Sequence, residues 1–226
     1  MAKFKYESRD DNSHSLTARV FQILQNDIIN GVYEVGESLV ETKLSQELGV
    51  SRTPIREAIR QLELEELVQF IPNKGVFVKG VSAQDIQDIY TIRKMIEGLA
   101  AKLAAEKITK EELEELKETL ELEEFYTTKN DIDHLLQLDS RFHEIIFKAS
   151  KSRPLLHILS MFHHNVQRAR TASLESPGRA LKTLKEHKSI YKAIMKKDAA
   201  EAERLTTEHV TNASLNLINK PRKKKD

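Results

Sequence analysis

Four side chains in the C-terminal half of the sequence could bind a metal ion: Asp139, His143, His187 and His209. Asp139 and His143 are four residues apart, which places them one turn apart on the same face of a helix. The neighbours of Asp139 on that face are apolar, and an unpaired carboxylate among apolar side chains is costly. We therefore expect Asp139 to have a partner.

His187 and His209 lie on the apolar faces of two predicted helices that meet near Asp198. Asp198 is a predicted N-cap, because Glu201 follows it three residues later. Each histidine is eleven residues from Asp198. At a rise of about 1.5 Å per residue each lies about 16 Å from the turn, so an antiparallel pair of helices brings the two level.

Three imidazoles and one carboxylate inside a helical bundle form a ligand set for Zn²⁺, Ni²⁺ or Mn²⁺. The alternative is that each histidine is a hydrogen-bonded core residue, but the two spacings together favour a metal site. Four further histidines show no comparable arrangement, and we interpret them as surface or packing residues: His134, His157, His163 and His164.

Three arginines could bind an anion near this site. Arg93 lies in the middle of an apolar helical stripe, with Glu97 one turn later. An arginine there either forms an ion pair with that glutamate or binds an anionic ligand. The ion pair, or a role in domain packing, is the favoured interpretation. Arg168 and Arg170 are further candidates for binding a carboxylate.

A second group of charged residues lies in "GVSRTPIREAIRQLE", residues 49–63. On a helical wheel four apolar side chains fall on one face: Ile55, Ala58, Ile59 and Leu62. Four polar ones fall beside it within roughly 100°: Arg52, Thr53, Arg56 and Arg60. A basic N-terminal end is typical of the recognition helix of a helix-turn-helix, whose guanidinium groups contact guanine edges or phosphates. The alternative is a basic solvated face.

The surrounding elements favour DNA binding. Helices are predicted over residues 15–30 and 40–48, ended by Gly31 and Gly49, and a third begins at Ser51, which can cap it. A β-hairpin is predicted over residues 67–79, with Lys74 and Gly75 at its tip.

From residue 83 to residue 219 the pattern is helical throughout, with the acidic stretch 111–124 interpreted as a solvated face. The fold class is therefore mainly α, with five predicted segments. They are a flexible N-terminus (1–15), a winged helix-turn-helix (16–79), a linker (80–83), an all-helical domain (84–218) and a basic tail (219–226). Ser82 is the predicted cap of the first helix of the all-helical domain.

The composition limits the possible functions. The 226 residues include 36 Lys plus Arg and 35 Asp plus Glu, so a nucleic-acid partner requires a local basic patch. The absence of cysteine excludes disulfides, thiolate metal sites and a cysteine nucleophile. No signal peptide or membrane span is recognised, so we expect a soluble cytoplasmic protein without a membrane partner.

Residues 16–79 resemble the winged helix-turn-helix of the GntR family of bacterial transcription regulators. "GVSRTPIREAIRQLELEELVQFIPNKGVFV" is similar to that family's signature. The resemblance implies that Arg52, Thr53 and Arg56 contact the operator and that Gly75 lets the wing approach the DNA backbone. We add Ser51, Arg60, Thr42 and Lys74 as candidate DNA contacts. Three residues depart from the pattern: Val40 replaces a capping Ser, Thr42 a DNA-contacting Arg and Glu66 a common Gly.

Residues 83–218 resemble the effector domain of the FadR subgroup, in which an Asp and three His bind a metal beside a carboxylate ligand. The resemblance implies a homodimeric repressor on a near-palindromic operator, released by a small carboxylate metabolite. Two alternatives remain open. In the first, the metal itself is the signal. In the second, the metal centre activates water as in a hydrolase, against which no Glu or His is identifiable as a base.

Overall fold

A computed structural model of the chain describes residues 15–218. These residues form two compact units that divide between Val81 and Ser82. The predicted flexible N-terminus (1–15) lies outside the described residues except for Ser15, and the predicted basic tail (219–226) lies wholly outside them.

The N-terminal unit contains three helices and a small sheet. In chain order its elements are α1 (Leu16–Asn30), β1 (Ser38–Leu39), α2 (Glu41–Leu48), α3 (Arg52–Leu64), β2 (Val68–Ile71) and β3 (Gly75–Val78). Ser15 caps α1 by accepting a hydrogen bond from the Ala18 amide, and Gly31 ends it in the left-handed conformation. Ser51 occupies the N-cap position of α3 as predicted, but its side chain makes no capping hydrogen bond to the first turn.

The predicted hairpin is present as an antiparallel pair of strands with Ile71 opposite Gly75. Its turn is closed by a hydrogen bond from the Lys74 amide to the Ile71 carbonyl, and Asn73 has a φ of 62°. Proline followed by a left-handed asparagine suits such a turn. The sheet order is β1-β3-β2. The strand β1 was not predicted from the sequence, because two residues are too few to show the alternation of apolar and polar side chains that marks a strand.

One face of each helix in this unit packs into a shared core. The buried apolar side chains of α3 are the four that the helical wheel selects: Ile55, Ala58, Ile59 and Leu62. They pack with apolar residues of α1 and of the strands. The arginines of α3 lie beside this buried face and are exposed to solvent. Packing of the apolar face holds the helix that carries them in place.

The C-terminal unit is a bundle of seven described helices. They are α4 (Ala83–Lys107), α5 (Lys110–Lys129), α6 (Ile132–Ala149), α7 (Arg153–Asn165), α8 (Gln167–Leu174), α9 (Arg179–Met195) and α10 (Ala199–Ile218). Ser82 and Asp85 form a capping box on α4, so the predicted linker 80–83 overlaps the first helix of the bundle. Asp198 accepts a hydrogen bond from the Glu201 amide, as an N-cap does.

Helices α4 and α10 approach each other closely at Gly98. A Cβ atom there would lie 2.4 Å from Thr207 Oγ1 and 3.1 Å from the Glu203 carbonyl oxygen, so only glycine fits. This contact holds α10 against α4 in the middle of both helices. Within the described part of the chain, no helix is both long enough and apolar enough to cross a bilayer.

Candidate metal centre and nucleic-acid interface

The structure brings the four predicted metal ligands together. One ligating atom each from Asp139, His143, His187 and His209 lies within 4.8 Å of all the others, and all four residues are buried. Helix α6 carries Asp139 and His143, while α9 and α10 carry the other two histidines. The rings of His187 and His209 have centroids 4.7 Å apart, as the equal distances from Asp198 predict.

Each of the three imidazoles has a glutamate beside its Nδ1 atom. The pairs are His187 with Glu123 at 2.9 Å, His209 with Glu186 at 2.8 Å and His143 with Glu97 at 3.2 Å. A carboxylate at one ring nitrogen fixes the orientation of the ring and increases the basicity of the other nitrogen. Glutamates thus lie beside the site where the sequence offered no identifiable Glu or His as a base, but each is occupied at the Nδ1 atom of a histidine.

One of these glutamates, Glu123, could have been identified from the sequence. Glu123 follows Leu116 by seven residues and Leu120 by three, so it shares the buried face of α5 with them. Its side chain is 2% exposed, whereas the acidic stretch 111–124 was interpreted as a solvated face. The helical spacing carried the signal, but the high glutamate content of the helix obscured it.

Asp139 uses its two oxygens differently. Its Oδ2 atom accepts hydrogen bonds from Nε and Nη2 of Arg170, the partner that its apolar surroundings require. Its Oδ1 atom lies 3.7 Å from Nε2 of His187. Burial alone would raise the pKa of Asp139, but the Arg170 guanidinium and the imidazoles hold that pKa well below its usual range. The side chain is therefore an ionised, oriented oxygen ligand.

The histidines differ in their protonation. Burial, with further contributions from the neighbouring imidazoles, lowers the pKa of His209 to about 4 despite its hydrogen bond to Glu186. Burial also disfavours the charged form of His187, yet Glu123 and Asp139 raise the pKa of that imidazole. The Nε2 atom of His187 is buried without a hydrogen-bond partner. An unpartnered buried nitrogen beside an ionised carboxylate fits a bound cation, and His₃Asp is a donor set for Zn²⁺, Ni²⁺ or Mn²⁺.

A second buried network adjoins these ligands. Arg93 Nε donates a hydrogen bond to Glu97 Oε1 at 2.5 Å, so the favoured ion pair is present. Arg93 Nη2 lies 2.9 Å from Nε2 of His163. Burial and the neighbouring guanidiniums lower the pKa of His163 well below its usual value, so the neutral ring can accept this hydrogen bond. His163 is thus part of a buried polar network, not a surface residue.

Arginines surround a small cavity beside the four ligands. Its volume is about 20 Å³, room for one or two water molecules, and its lining includes Arg93, Arg170, Arg179, Asp139 and His209. The Nη1 atom of Arg93 is buried without a hydrogen-bond partner. Arg168 is exposed on α8 and does not line the cavity. Arg179, which the sequence analysis missed, takes its place.

The predicted DNA-binding residues lie on the exposed surface of the N-terminal unit. The exposed residues among them are Thr42, Ser51, Arg52, Thr53, Arg56, Arg60 and Lys74. Gly75 follows the hairpin turn with a φ of 104°, and a Cβ atom there would meet nothing within 4 Å. The glycine is therefore required by its backbone conformation, because the surrounding space is open.

Two of the arginines on α3 share one carboxylate. Glu41, the first residue of α2, accepts hydrogen bonds from Arg56 Nε at 3.1 Å and Arg56 Nη2 at 2.9 Å. Arg52 Nη2 donates to the same carboxylate at 3.2 Å. The two guanidiniums remain more than half exposed. No local sequence pattern predicts this contact, since Glu41 lies eleven residues or more before the arginines.

Comparison with protein families finds two matches. Residues 16–78 match the gntR family of bacterial regulatory proteins, and residues 88–212 match the FCD domain. The HTH-type transcriptional regulator YdhC of Bacillus subtilis is 32% identical over 82% of this chain and 84% of its own length. The HTH-type transcriptional repressor RspR of Escherichia coli is 26% identical over 92% of this chain and 91% of its own.

Solved structures with the same fold extend over nearly the whole chain. McbR/YncC of E. coli superimposes with a TM-score of 0.76 at 24% identity, covering 91% of this chain and 98% of that one. Lar, which controls the agr system of Listeria monocytogenes, superimposes with a TM-score of 0.66 at 20% identity over 93% and 100% of the two chains. At these identities the likeness establishes the fold.

Proposed function

The chain belongs to the GntR family of bacterial transcription regulators and carries an FCD domain, and from this premise we propose that a small organic acid controls its DNA binding. The acid binds beside a metal ion in the C-terminal unit. The N-terminal unit is the DNA-binding helix-turn-helix of the family. The family and the named relatives are transcription regulators, so the hydrolase alternative is not supported.

One observation carries the choice of an anionic effector: the buried, unpartnered Nη1 atom of Arg93 beside the four clustered ligands. A buried guanidinium nitrogen without a partner is costly, and a carboxylate oxygen would satisfy it. Arg170 and Arg179 line the same cavity, each already paired with a carboxylate (Asp139 and Glu186), so they offer further N–H donors more than net charge. A bound divalent metal would supply further positive charge and open coordination positions for such an acid.

Control of DNA binding follows from linkage. If the acid binds one conformation of the protein more tightly than another, operator affinity changes by the ratio of those two affinities. We propose a homodimer on a near-palindromic operator, since two-fold protein symmetry reads two-fold DNA. RspR is named a repressor, which supports the proposal that this protein represses transcription. Such a regulator acts in the bacterial cytoplasm, where the DNA lies.

The alternative is that the metal alone is the signal. Native mass spectrometry of the purified protein identifies the bound metal and any acid that co-purifies. Operator affinity is then measured on a duplex that the protein itself selects from a random library, with metal alone and with metal plus a panel of small carboxylic acids. Our proposal requires a response to an acid. A full response to metal alone would establish the alternative.

Histidine variants test the site itself. His187→Ala and His209→Ala should lower metal content and blunt the acid response, while the N-terminal unit still binds DNA. His157→Ala is the matched control, because His157 is exposed on α7. Full metal occupancy in the first two variants would reject the proposed ligands.

Arginine variants test the DNA contacts. Arg52→Ala or Arg56→Ala should each weaken operator binding by about 1–3 kcal/mol with unchanged metal content. Arg204→Ala, an exposed arginine of α10, is the control. Footprints identical to wild type in both α3 variants would remove Arg52 and Arg56 from the interface.

A further inference from the structure

Glu41 is the one carboxylate that contacts both Arg52 and Arg56 among the described residues. It binds the Arg56 guanidinium through two hydrogen bonds and the Arg52 guanidinium through one. Its side chain is 27% exposed, compared with 58% for Arg52 and 52% for Arg56. Glu41 is thus the most buried of the three side chains, and the two guanidiniums extend from it toward solvent.

This arrangement has two physical consequences. Arg52 and Arg56 are four residues apart on α3, and a shared carboxylate limits the range of side-chain rotamers that each can adopt. The same carboxylate also competes for the guanidinium N–H groups with any acceptor that DNA offers. A carboxylate and a phosphate are similar acceptors for arginine, so exchanging one for the other yields little net gain.

We propose that Glu41 determines specificity, acting as an internal competitor that weakens binding to non-cognate DNA more than binding to the operator. This inference rests on the proposed contacts of Arg52 and Arg56 with DNA. On a non-cognate duplex no guanine lies where the two guanidiniums reach, so they find only phosphates, which hardly compensate for leaving the carboxylate. On the operator the same loss is offset, because the rotamers that Glu41 restricts are those that meet guanine edges, whose two acceptors match a guanidinium.

The chain offers a matched control on the same helix. Glu47, also on α2, pairs with Lys43 at 3.8 Å and contacts neither arginine. Glu41→Gln and Glu47→Gln therefore remove the same charge from the same helix, and only the first releases Arg52 and Arg56. A difference in DNA affinity between the two variants therefore measures the competition of Glu41 with DNA for the two guanidiniums. The general attraction of DNA to a less acidic surface is common to both variants.

The experiment uses the full chain and two duplexes, the one that wild type selects from a random library and a scrambled duplex of equal length and composition. Relative to Glu47→Gln, Glu41→Gln should bind the scrambled duplex about three- to tenfold more tightly, as expected for releasing exposed ion pairs. Its affinity for the selected duplex should change by less than about twofold, because there the gain from freeing the guanidiniums is offset by the loss of their restricted rotamers. The ratio of the two affinities, which measures specificity, should therefore fall.

A double-mutant cycle links the effect to the arginines. In a background of Arg52→Ala with Arg56→Ala, the difference between Glu41→Gln and Glu47→Gln should disappear, because the groups that Glu41 competes for are absent. Glu41→Asp keeps the charge on a shorter side chain that cannot reach both guanidiniums. It should shift binding to the scrambled duplex in the same direction as Glu41→Gln, by a smaller factor.

Two results would overturn the inference. Equal behaviour of Glu41→Gln and Glu47→Gln on both duplexes would show that Glu41 contributes only its charge. A loss of affinity for the selected duplex alone would show that Glu41 itself reads a base. The proposed function fails separately, if wild type selects no sequence or if Arg52→Ala and Arg56→Ala bind as wild type does.

Discussion

Both units contain an arginine bound by a carboxylate, and the two pairs differ in their access to water. In the N-terminal unit Arg56 is 52% exposed and its partner Glu41 is 27% exposed. In the C-terminal unit Arg170 and Asp139 are 8% and 9% exposed. The chemical groups are the same, so burial is the property that distinguishes the two pairs.

Burial decides how readily each pair can be exchanged. An exposed ion pair contributes about 0–1 kcal/mol, so DNA can take the guanidinium at little cost. Breaking a buried pair by removing one partner costs about 3–5 kcal/mol, because the remaining charge has no solvent. The exposed pairs of Arg52 and Arg56 can therefore exchange partners readily, whereas Arg170 fixes the orientation of Asp139 as a candidate ligand.

The largest expected effect comes from removing one charge of the buried pair. Asp139→Asn should lower the free energy of unfolding of the C-terminal unit by about 3 kcal/mol or more, since Arg170 is then buried without a counterion. Glu41→Gln should cost the N-terminal unit less than about 1 kcal/mol. Hydrogen–deuterium exchange in a urea series, with EDTA present to exclude metal effects, measures each unit separately.

A double variant separates lost charge from lost packing. Asp139→Leu with Arg170→Met replaces both partners by apolar side chains, and it should recover much of the stability that Asp139→Asn loses. If Asp139→Asn instead lowers the free energy of unfolding no more than Glu41→Gln does, water must reach both ion pairs alike. Burial would then not distinguish the ion pairs of the two units.

A smaller effect is expected from the glutamates that orient the histidines. Glu123→Gln should weaken metal binding by about 10- to 100-fold, because His187 loses the carboxylate that directs its Nε2 atom toward Asp139. Glu124→Gln is the control. It lies next in the same helix and pairs on the surface with Lys188 at 2.6 Å. Competition with a chromophoric chelator for Zn²⁺ and Ni²⁺ provides the measurement.

Equal metal affinities in the two glutamate variants would show that packing alone orients His187. In that case a buried carboxylate of the C-terminal unit could be lost as cheaply as an exposed one of the N-terminal unit. A loss in Glu123→Gln alone would show that burial turns a glutamate into a positioning residue for the metal ligand.

Much of the fold could be predicted because it depends on local patterns. Apolar residues at helical spacing identify the buried face of α3, and glycines in the left-handed conformation end α1 and α2. The missed strand β1 is formed by pairing with β3, a contact between residues about forty apart. No local pattern of two residues can predict such a pairing.

The candidate site divides in the same way. The spacing of His187 and His209 around Asp198 predicted their convergence, because the turn between two helices is itself local. The buried role of His163 depends on Arg93, seventy residues earlier, and was not predictable. Arg170 could be proposed, but only the tertiary structure shows that it binds Asp139 and that Arg168 faces solvent.

The smallest expected effect concerns Glu66, which joins α3 to β2 with a φ of 59° and forms an exposed ion pair with Lys79 at 2.7 Å. Glu66→Ala removes the pair and keeps the left-handed backbone, so it should change the stability of the N-terminal unit by less than about 0.5 kcal/mol. Glu66→Gly also relieves the backbone and should be more stable than Glu66→Ala by about 1 kcal/mol. Urea unfolding of the N-terminal unit, followed by hydrogen exchange, compares the two. A large loss in Glu66→Ala would mean that exposed pairs in this unit are not readily exchanged, and the same stability in both variants would mean that the turn stores no strain.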